Sequence, residues 1–229
     1  VTGETSLEDW TAQDGTSFVA LENPVKKGYV VVAEESTDAT SSDLTKAGEH
    51  TGIHADAADI TDTVIYRPVG AYRISYATGK EPAHAQKEIP YLNDPTNPTA
   101  IASPTAILPY VEGLEPKDAH GQVLNLVDPL DETKGYLLPS PDSPTADTAI
   151  SYAITKGSVR VRFLTEGSDT DLQEAQDLAT EVDFGTKYTS EAPTEITKDG
   201  RIYHLVGHRA DSADPSGTVT KETKTVIYD

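Results

Sequence analysis

Across 229 residues, 38 acidic and only 18 basic side chains give a formal charge of −20, which repels nucleic-acid phosphates and anionic membranes with no basic stripe to offset it. Cysteine and methionine are both absent, which excludes disulfides, thiolate metal sites and thiol nucleophiles, and suits a surface exposed to oxidants. No apolar run approaches a transmembrane length, and the first residues lack the basic and apolar regions of a signal peptide, so neither membrane insertion nor nucleic-acid binding is expected and the chain reads as a fragment of a longer or processed protein.

Residues 1–68 read as a partial or divergent first module. Val1-Thr2-Gly3-Glu4-Thr5 resembles the region just after an opening strand, Gly15-Thr16-Ser17-Phe18 parallels the later Gly185-Thr186-Lys187-Tyr188, and Asp62-Thr63-Val64-Ile65-Tyr66 forms a closing strand. Residues 69–155 form the middle module. Its opening strand, Gly70 to Tyr76, alternates Tyr72, Ile74 and Tyr76 with Arg73 and Ser75, the period-two pattern of a half-buried strand. A Pro-rich stretch from Pro90 to Pro116 then limits sheet pairing to edges and leaves ordered loops, before the closing strand Asp147 to Tyr152.

Residues 156–229 form the third module. Val159, Val161 and Phe163 alternate with Arg160 and Arg162 in its opening strand. Ala175 to Phe184 has some helical spacing, but the turn residues at both ends favour a strand. Tyr188 to Ile196 suits a short helical turn broken by Pro193, Asp199-Gly200 is a turn leading into a strand over Arg201–Val206, and Thr218 to Tyr228 completes the sheet. Closing and opening strands thus recur as a pair, separated only by Arg67–Val69 and Ala153–Lys156. Links this short predict a stiff tandem array of small, thin-cored modules.

The order of several short motifs resembles a known family. Gly157-Ser158-Val159-Arg160-Val161, Phe184-Gly185-Thr186-Lys187-Tyr188-Thr189, Ser216-Gly217-Thr218 and Thr225-Val226-Ile227-Tyr228 are similar to the mucin-binding-protein repeats of Gram-positive surface adhesins. Val111-Glu112-Gly113-Leu114, His120-Gly121, Asp128-Pro129 and Lys134-Gly135-Tyr136 resemble the companion module of mucus-binding repeats. The resemblance implies an α+β, predominantly β fold of tandem ubiquitin-like β-grasp modules in an elongated rod, extracellular and anchored to the cell wall through a parent protein. It also implies adhesion to host mucin or other glycoprotein glycans by a monomeric chain. A non-binding stalk, and attachment to a host protein such as an immunoglobulin through a sheet edge, are the alternatives. Leu138-Pro139-Ser140-Pro141-Asp142 begins like a cell-wall sorting motif but lacks its ending and reads as a loop.

Sugar faces stack on aromatic rings, so Trp10, Tyr91 and Tyr110, which lie in polar or Pro-rich surroundings, are the candidate ligand residues; Tyr72, Tyr76 and Tyr228 fall on core faces. His50 with His54 and His204 with His208 are four apart but sit in strand or loop sequence, where four residues span roughly 13 Å, so no metal site is expected. The clusters Asp56, Asp59, Asp62 and Asp128, Asp131, Glu132 offer oxygens to calcium, yet no EF-hand or similar loop gathers six to eight of them, and no cofactor is expected. No nucleophile elbow or phosphate-cradling loop occurs, and thin modules lack a deep cleft, so no enzyme is expected. Asn23, Asn93, Asn97 and Asn125 lie in loop-like stretches, away from the closing strands that an intramolecular Lys–Asn bond would use.

Overall fold

The structure, a computed structural model, describes residues 21–36, 43–47 and 62–229. In chain order the strands are β1 (Leu21–Glu22), β2 (Tyr29–Ser36), β3 (Lys46–Ala47), β4 (Asp62–Pro68), β5 (Ala71–Tyr76), β6 (Glu88–Pro90), β7 (Ile107–Leu108) and β8 (Leu114–Lys117). A 3-10 turn at Glu132–Lys134 precedes β9 (Tyr136–Leu137), β10 (Thr148–Ile154), β11 (Lys156–Phe163) and β12 (Gln176–Asp183). The remaining strands are β13 (Lys187–Thr189), β14 (Glu195–Lys198), β15 (Arg201–His204), β16 (Ser216–Thr218) and β17 (Lys224–Tyr228). The protein is predominantly β, and among the described residues the helical content is that one 3-10 turn. No helix among them is long and apolar enough to cross a membrane.

Every opening and closing strand expected over the described residues forms: β4, β10 and β17 close, β5 and β11 open. Ala175 to Phe184 is extended, as its turn residues predict, and forms β12. The helical turn expected over Tyr188–Ile196 does not form. Tyr188 lies in β13 paired with β16, and Ile196 in β14, because a buried Tyr188 and the proline at 193 satisfy backbone and core better in extended pairing. Asp199-Gly200 makes the expected turn, with φ of 50° and 74° at its two residues, the left-handed pair that a two-residue hairpin demands. It joins β14 to β15, with Lys198 opposite Arg201.

In the middle of the chain the sheet order is β6-β5-β10-β8. The hydrogen bonds Ala71 N to Asp147 Oδ1, Ser75 Oγ to Ile150 O and Ala77 N to Tyr152 O climb β5 and β10 in the same sense, so first and last strands run parallel. Pro116 lies in the edge strand β8 opposite Tyr152, where a missing N–H costs no internal bond. In the third segment the order is β12-β11-β17, and β11 runs parallel to β17 from Val159–Lys224 to Phe163–Tyr228. Its core is Val159, Val161, Phe163, Tyr188, Val219, Val226 and Tyr228. Fully burying each such side chain is worth about 1.5–3 kcal/mol. The outer side of β17 is covered by the loop 206–213, and the Arg209 guanidinium pins it, bonding Asp229 Oδ2 at 3.0 Å and the Ser168 carbonyl at 2.8 Å.

Contacts divide the chain into two compact units. The first comprises residues 1–74, 84–106 and 138–149, and the second 75–83, 107–137 and 150–229. The short link at 67–69 therefore lies inside the first unit and the link at 153–156 inside the second. One local device recurs four times in the described loops. Asp43, Asp94, Asn97 and Asp131 each accept through Oδ1 from both the N–H and the hydroxyl of the threonine two residues on, closing tight turns and, at Asp131, capping the 3-10 turn.

Candidate functional site: the segment junctions

The candidate ligand aromatics do not form a stacking platform among the described residues. Tyr91 is 5 % exposed. Its N–H bonds Gly70 O, which continues the β5–β6 ladder past Pro90 and turns the ring inward. There its hydroxyl donates to the Ala146 carbonyl (3.0 Å) and its ring meets Tyr72 edge-on at 5.0 Å. Burial, and secondarily Tyr91, push the Tyr72 phenol up to about 12. The exposure expected of Tyr91 from its Pro-rich surroundings is thus corrected: Tyr72, Gly70, Ala146 and Thr148 surround its ring and hydroxyl. Tyr110 is half-buried in the second unit, its hydroxyl pushed up by burial and then by Glu132 and Glu112. Trp10 lies outside the described residues.

Beside Tyr91 the Pro-rich loops leave a small open cleft lined by Ile89, Leu92, Ile101, Pro104, Leu138 and Pro141, where Ser103 and Thr105 are polar and the Tyr72 and Tyr91 hydroxyls are already bonded to the Pro139 and Ala146 carbonyls. Walls of this kind present few of the convergent hydrogen-bonding groups that orient a sugar. His204 faces Glu195 across the hairpin (3.1 Å), whereas the His208 ring bonds Ala213 O (2.9 Å), so this pair serves two separate contacts. His50, His54, Asp56 and Asp59 lie outside the described residues. Lys134 sits 2.6 Å from Asp128, Asp131 caps the 3-10 turn, and Glu132 pairs with Lys221 at 3.1 Å, so these carboxylates are engaged internally.

The most specific geometry lies at the two junctions, and it is built twice. Lys26-Lys27-Gly28-Tyr29 and Val111-Glu112-Gly113-Leu114 are matching turns, each closed by a bond from the fourth residue's N–H to the first carbonyl (2.9 and 3.0 Å). Their glycines have φ of 79° and 74°, the left-handed conformation that the third position of a type II turn requires. Each turn leads into a strand, β2 or β8, antiparallel to the closing strand, with Tyr29 opposite Pro68 and Leu114 opposite Ile154. The glycine carbonyl then accepts the N–H of the residue that leaves the closing strand, Val69 on Gly28 (3.0 Å) and Thr155 on Gly113 (2.9 Å).

A second residue of the incoming segment seats on the same turn. Asn93 and Phe184 each lie two residues beyond the partner of the glycine that opens the strand, Tyr91 for Gly70 and Val182 for Gly157. Asn93 accepts from the Gly28 N–H (2.6 Å) and donates to the Tyr29 carbonyl (2.7 Å). Phe184 instead lays its ring against Gly113, so closely that a Cβ there would stand 2.4 Å from it. The opening glycines are equally constrained: a Cβ on Gly70 would meet Ala146 O at 2.4 Å, and one on Gly157 would meet Thr220 O at 1.8 Å. In both cases the backbone just ahead of the closing strand crosses the start of the opening strand.

Around this frame the two junctions use charge differently. At the first, Asp147 accepts from Ala71 N and from Arg73 Nε, both at 2.8 Å, and Arg73 also pairs with Glu88. The Arg73 bond, then the Ala71 N–H, hold the Asp147 carboxyl below the usual range. At the second, burial alone would lower the Lys221 ammonium, but its bridge to Glu132 outweighs that and raises it. Gly28, Gly113, Asn93 and Phe184 are absent from the sequence-derived candidates. The signal that could have found them is the glycine turn that opens the strand paired with each closing strand, β2 with β4 and β8 with β10. The chain matches no protein-family model, no curated protein and no solved structure.

Proposed function

We propose that this chain is a module-built spacer of a bacterial cell-surface protein, the stalk alternative of the adhesin family it resembles, whose role is to hold a distal part of its parent away from the cell wall. The observation that supports it is the repeated junction, because a linker fixed by a backbone bond and a seated side chain resists bending in a way that a free linker does not. The parallel pairing of first and last strands in two successive segments fits a β-grasp-like module whose covering helix has been replaced by loops. The glycan-binding reading is less well supported, since Tyr91 serves the interior and the neighbouring cleft is apolar. Edge attachment to a host protein is disfavoured at β12, whose ladder with β11 is irregular and whose Asp177 and Asp183 pair with Arg160 and Lys156, features that blunt an edge.

Because the chain has no cysteine, spin labels can be placed uniquely. Labels at Leu130→Cys and Lys187→Cys, on either side of the second junction, should give a narrow distance distribution by double electron–electron resonance. A broad one would sink the spacer reading. Retention on immobilised mucin that free oligosaccharide competes away would instead favour the adhesin.

A further inference from the structure

Tension that enters a segment through its first strand and leaves through its last is carried by whatever joins those two strands. In the third segment they are β11 and β17, neighbours that run parallel over five register pairs from Val159–Lys224 to Phe163–Tyr228, with the Leu164 N–H bonded to Tyr228 O at 2.8 Å beyond them. The chain enters β11 at its start and leaves β17 at its end, so a pull along the chain slides the two strands past each other and loads every rung at once. A hairpin such as β14–β15 opens under the same pull from one end, rung by rung. In the middle segment β5 and β10 are likewise neighbours running in the same sense, and the residues at which the chain enters and leaves them, Gly70 and Thr155, are internal to it.

In the third segment β17 is also held from its other side. The Thr225 and Ile227 carbonyls accept the N–H groups of Ala213 and Arg209, both at 2.9 Å, so residues 206–213 strap the strand along the edge opposite β11. At the leaving end the Arg209 guanidinium bonds Asp229 Oδ2 at 3.0 Å and the Ser168 carbonyl at 2.8 Å, and pairs with Asp169 at 3.2 Å. It thereby ties the end of β17 to the turn that follows β11. On the core side Val159, Val161, Val226 and Tyr228 are buried, and a ladder screened from water holds its hydrogen bonds more firmly.

We propose that the β11–β17 pair, strapped by residues 206–213 and fastened at its leaving end by Arg209, is a tension-bearing clamp that resists unfolding when the chain is pulled along its length. The inference deepens the spacer reading, on which it rests for its use, because a spacer that holds an attached part away from a wall transmits the load placed on that part.

The test is single-molecule force spectroscopy on the full chain, whose lack of cysteine allows handles to be placed in two geometries. Handles at Lys156→Cys and at a cysteine added after Asp229 pull β11 and β17 in shear. Handles at Lys156→Cys and Glu222→Cys, ahead of the starts of the two strands, pull the same pair apart from one end. At one loading rate the shear geometry should unfold the segment at the higher force. Arg209→Lys keeps the charge but loses the fork that spans Asp229 and Ser168. It should speed unfolding about tenfold at constant force in shear, and leave the second geometry unchanged, because rupture there starts at Lys224 and reaches Asp229 last. Equal forces in the two geometries, or an Arg209→Lys effect of the same size in both, would overturn the proposal, and the comparison of geometries decides it without the variant. A broad distance distribution across the second junction together with unequal forces would undo the spacer reading and leave the clamp standing.

Discussion

The first and second junctions share a backbone plan and differ in the side chain that completes it. Asn93 ties the first by two hydrogen bonds to Gly28 and Tyr29, while Phe184 fills the second by packing on Gly113. The backbone bond from the linker residue to the glycine carbonyl is the common element, so side chains at the seat can vary between polar and apolar without changing the geometry. Sequence comparison of the segments alone would miss this, because Asn and Phe do not look equivalent. Register makes them so.

Substitutions at the glycines should separate the two junctions most strongly. Gly157→Ala places a Cβ against the Thr220 carbonyl, a backbone atom that cannot swing away, and is expected to cost about 3 kcal/mol or more by urea denaturation. Gly113→Ala combines a positive φ with the Phe184 ring and should cost about 2–3 kcal/mol. Gly28→Ala, at a similar φ but with open space around it, should cost only about 1 kcal/mol. Equal losses at Gly28 and Gly113 would mean that the Phe184 contact contributes nothing.

Truncating the seats comes next. Phe184→Ala should destabilise by about 2 kcal/mol through lost apolar contact, and Asn93→Ala by about 1–2 kcal/mol through two lost hydrogen bonds. Hydrogen exchange should sharpen the contrast, with the Gly28 amide losing protection in Asn93→Ala and the Thr155 amide in Phe184→Ala. Lys221→Ala removes a half-exposed ion pair with Glu132 and should cost about 0.5 kcal/mol, less in high salt. An effect larger than that of Phe184→Ala would make the second junction electrostatic.

The smallest expected effect is one of pH. The Asp147 carboxyl is held low in the folded protein by Arg73 and the Ala71 N–H, so its contribution is present above the ordinary Asp value of about 4 and is lost as pH falls through the lower folded value. Asp147→Asn should therefore flatten the acid limb of a stability-versus-pH curve below about pH 4, with little change at neutral pH beyond the lost ion pair. An unchanged acid limb would mean that Asp147 carries none of the protein's acid sensitivity, with Asp171 beside Arg162 in the third segment as another carboxyl held low in the same way.

Strands with strong local signals were legible in the sequence. The alternation of Val159, Val161 and Phe163 and the Asp199-Gly200 turn needed no tertiary knowledge, because period two and a left-handed turn pair are properties of the chain itself. Tyr188 to Ile196 was not legible: its helical spacing gives way to pairing with residues 216–218 and 201–204, which lie tens of residues further on. Tyr91 was misplaced for a similar reason, since nothing local announces that Ala146 and Thr148 will surround its hydroxyl.

By itself the sequence determined a β-rich, acidic, sulfur-free chain cut at two places by a closing strand running into an opening one. Only the tertiary structure decided what happens at those cuts. Glycine turns at 28 and 113 become acceptors because strand register, a long-range property, carries each of them to the residue that leaves the closing strand. Local propensity can name a turn, but only the sheet determines what it touches.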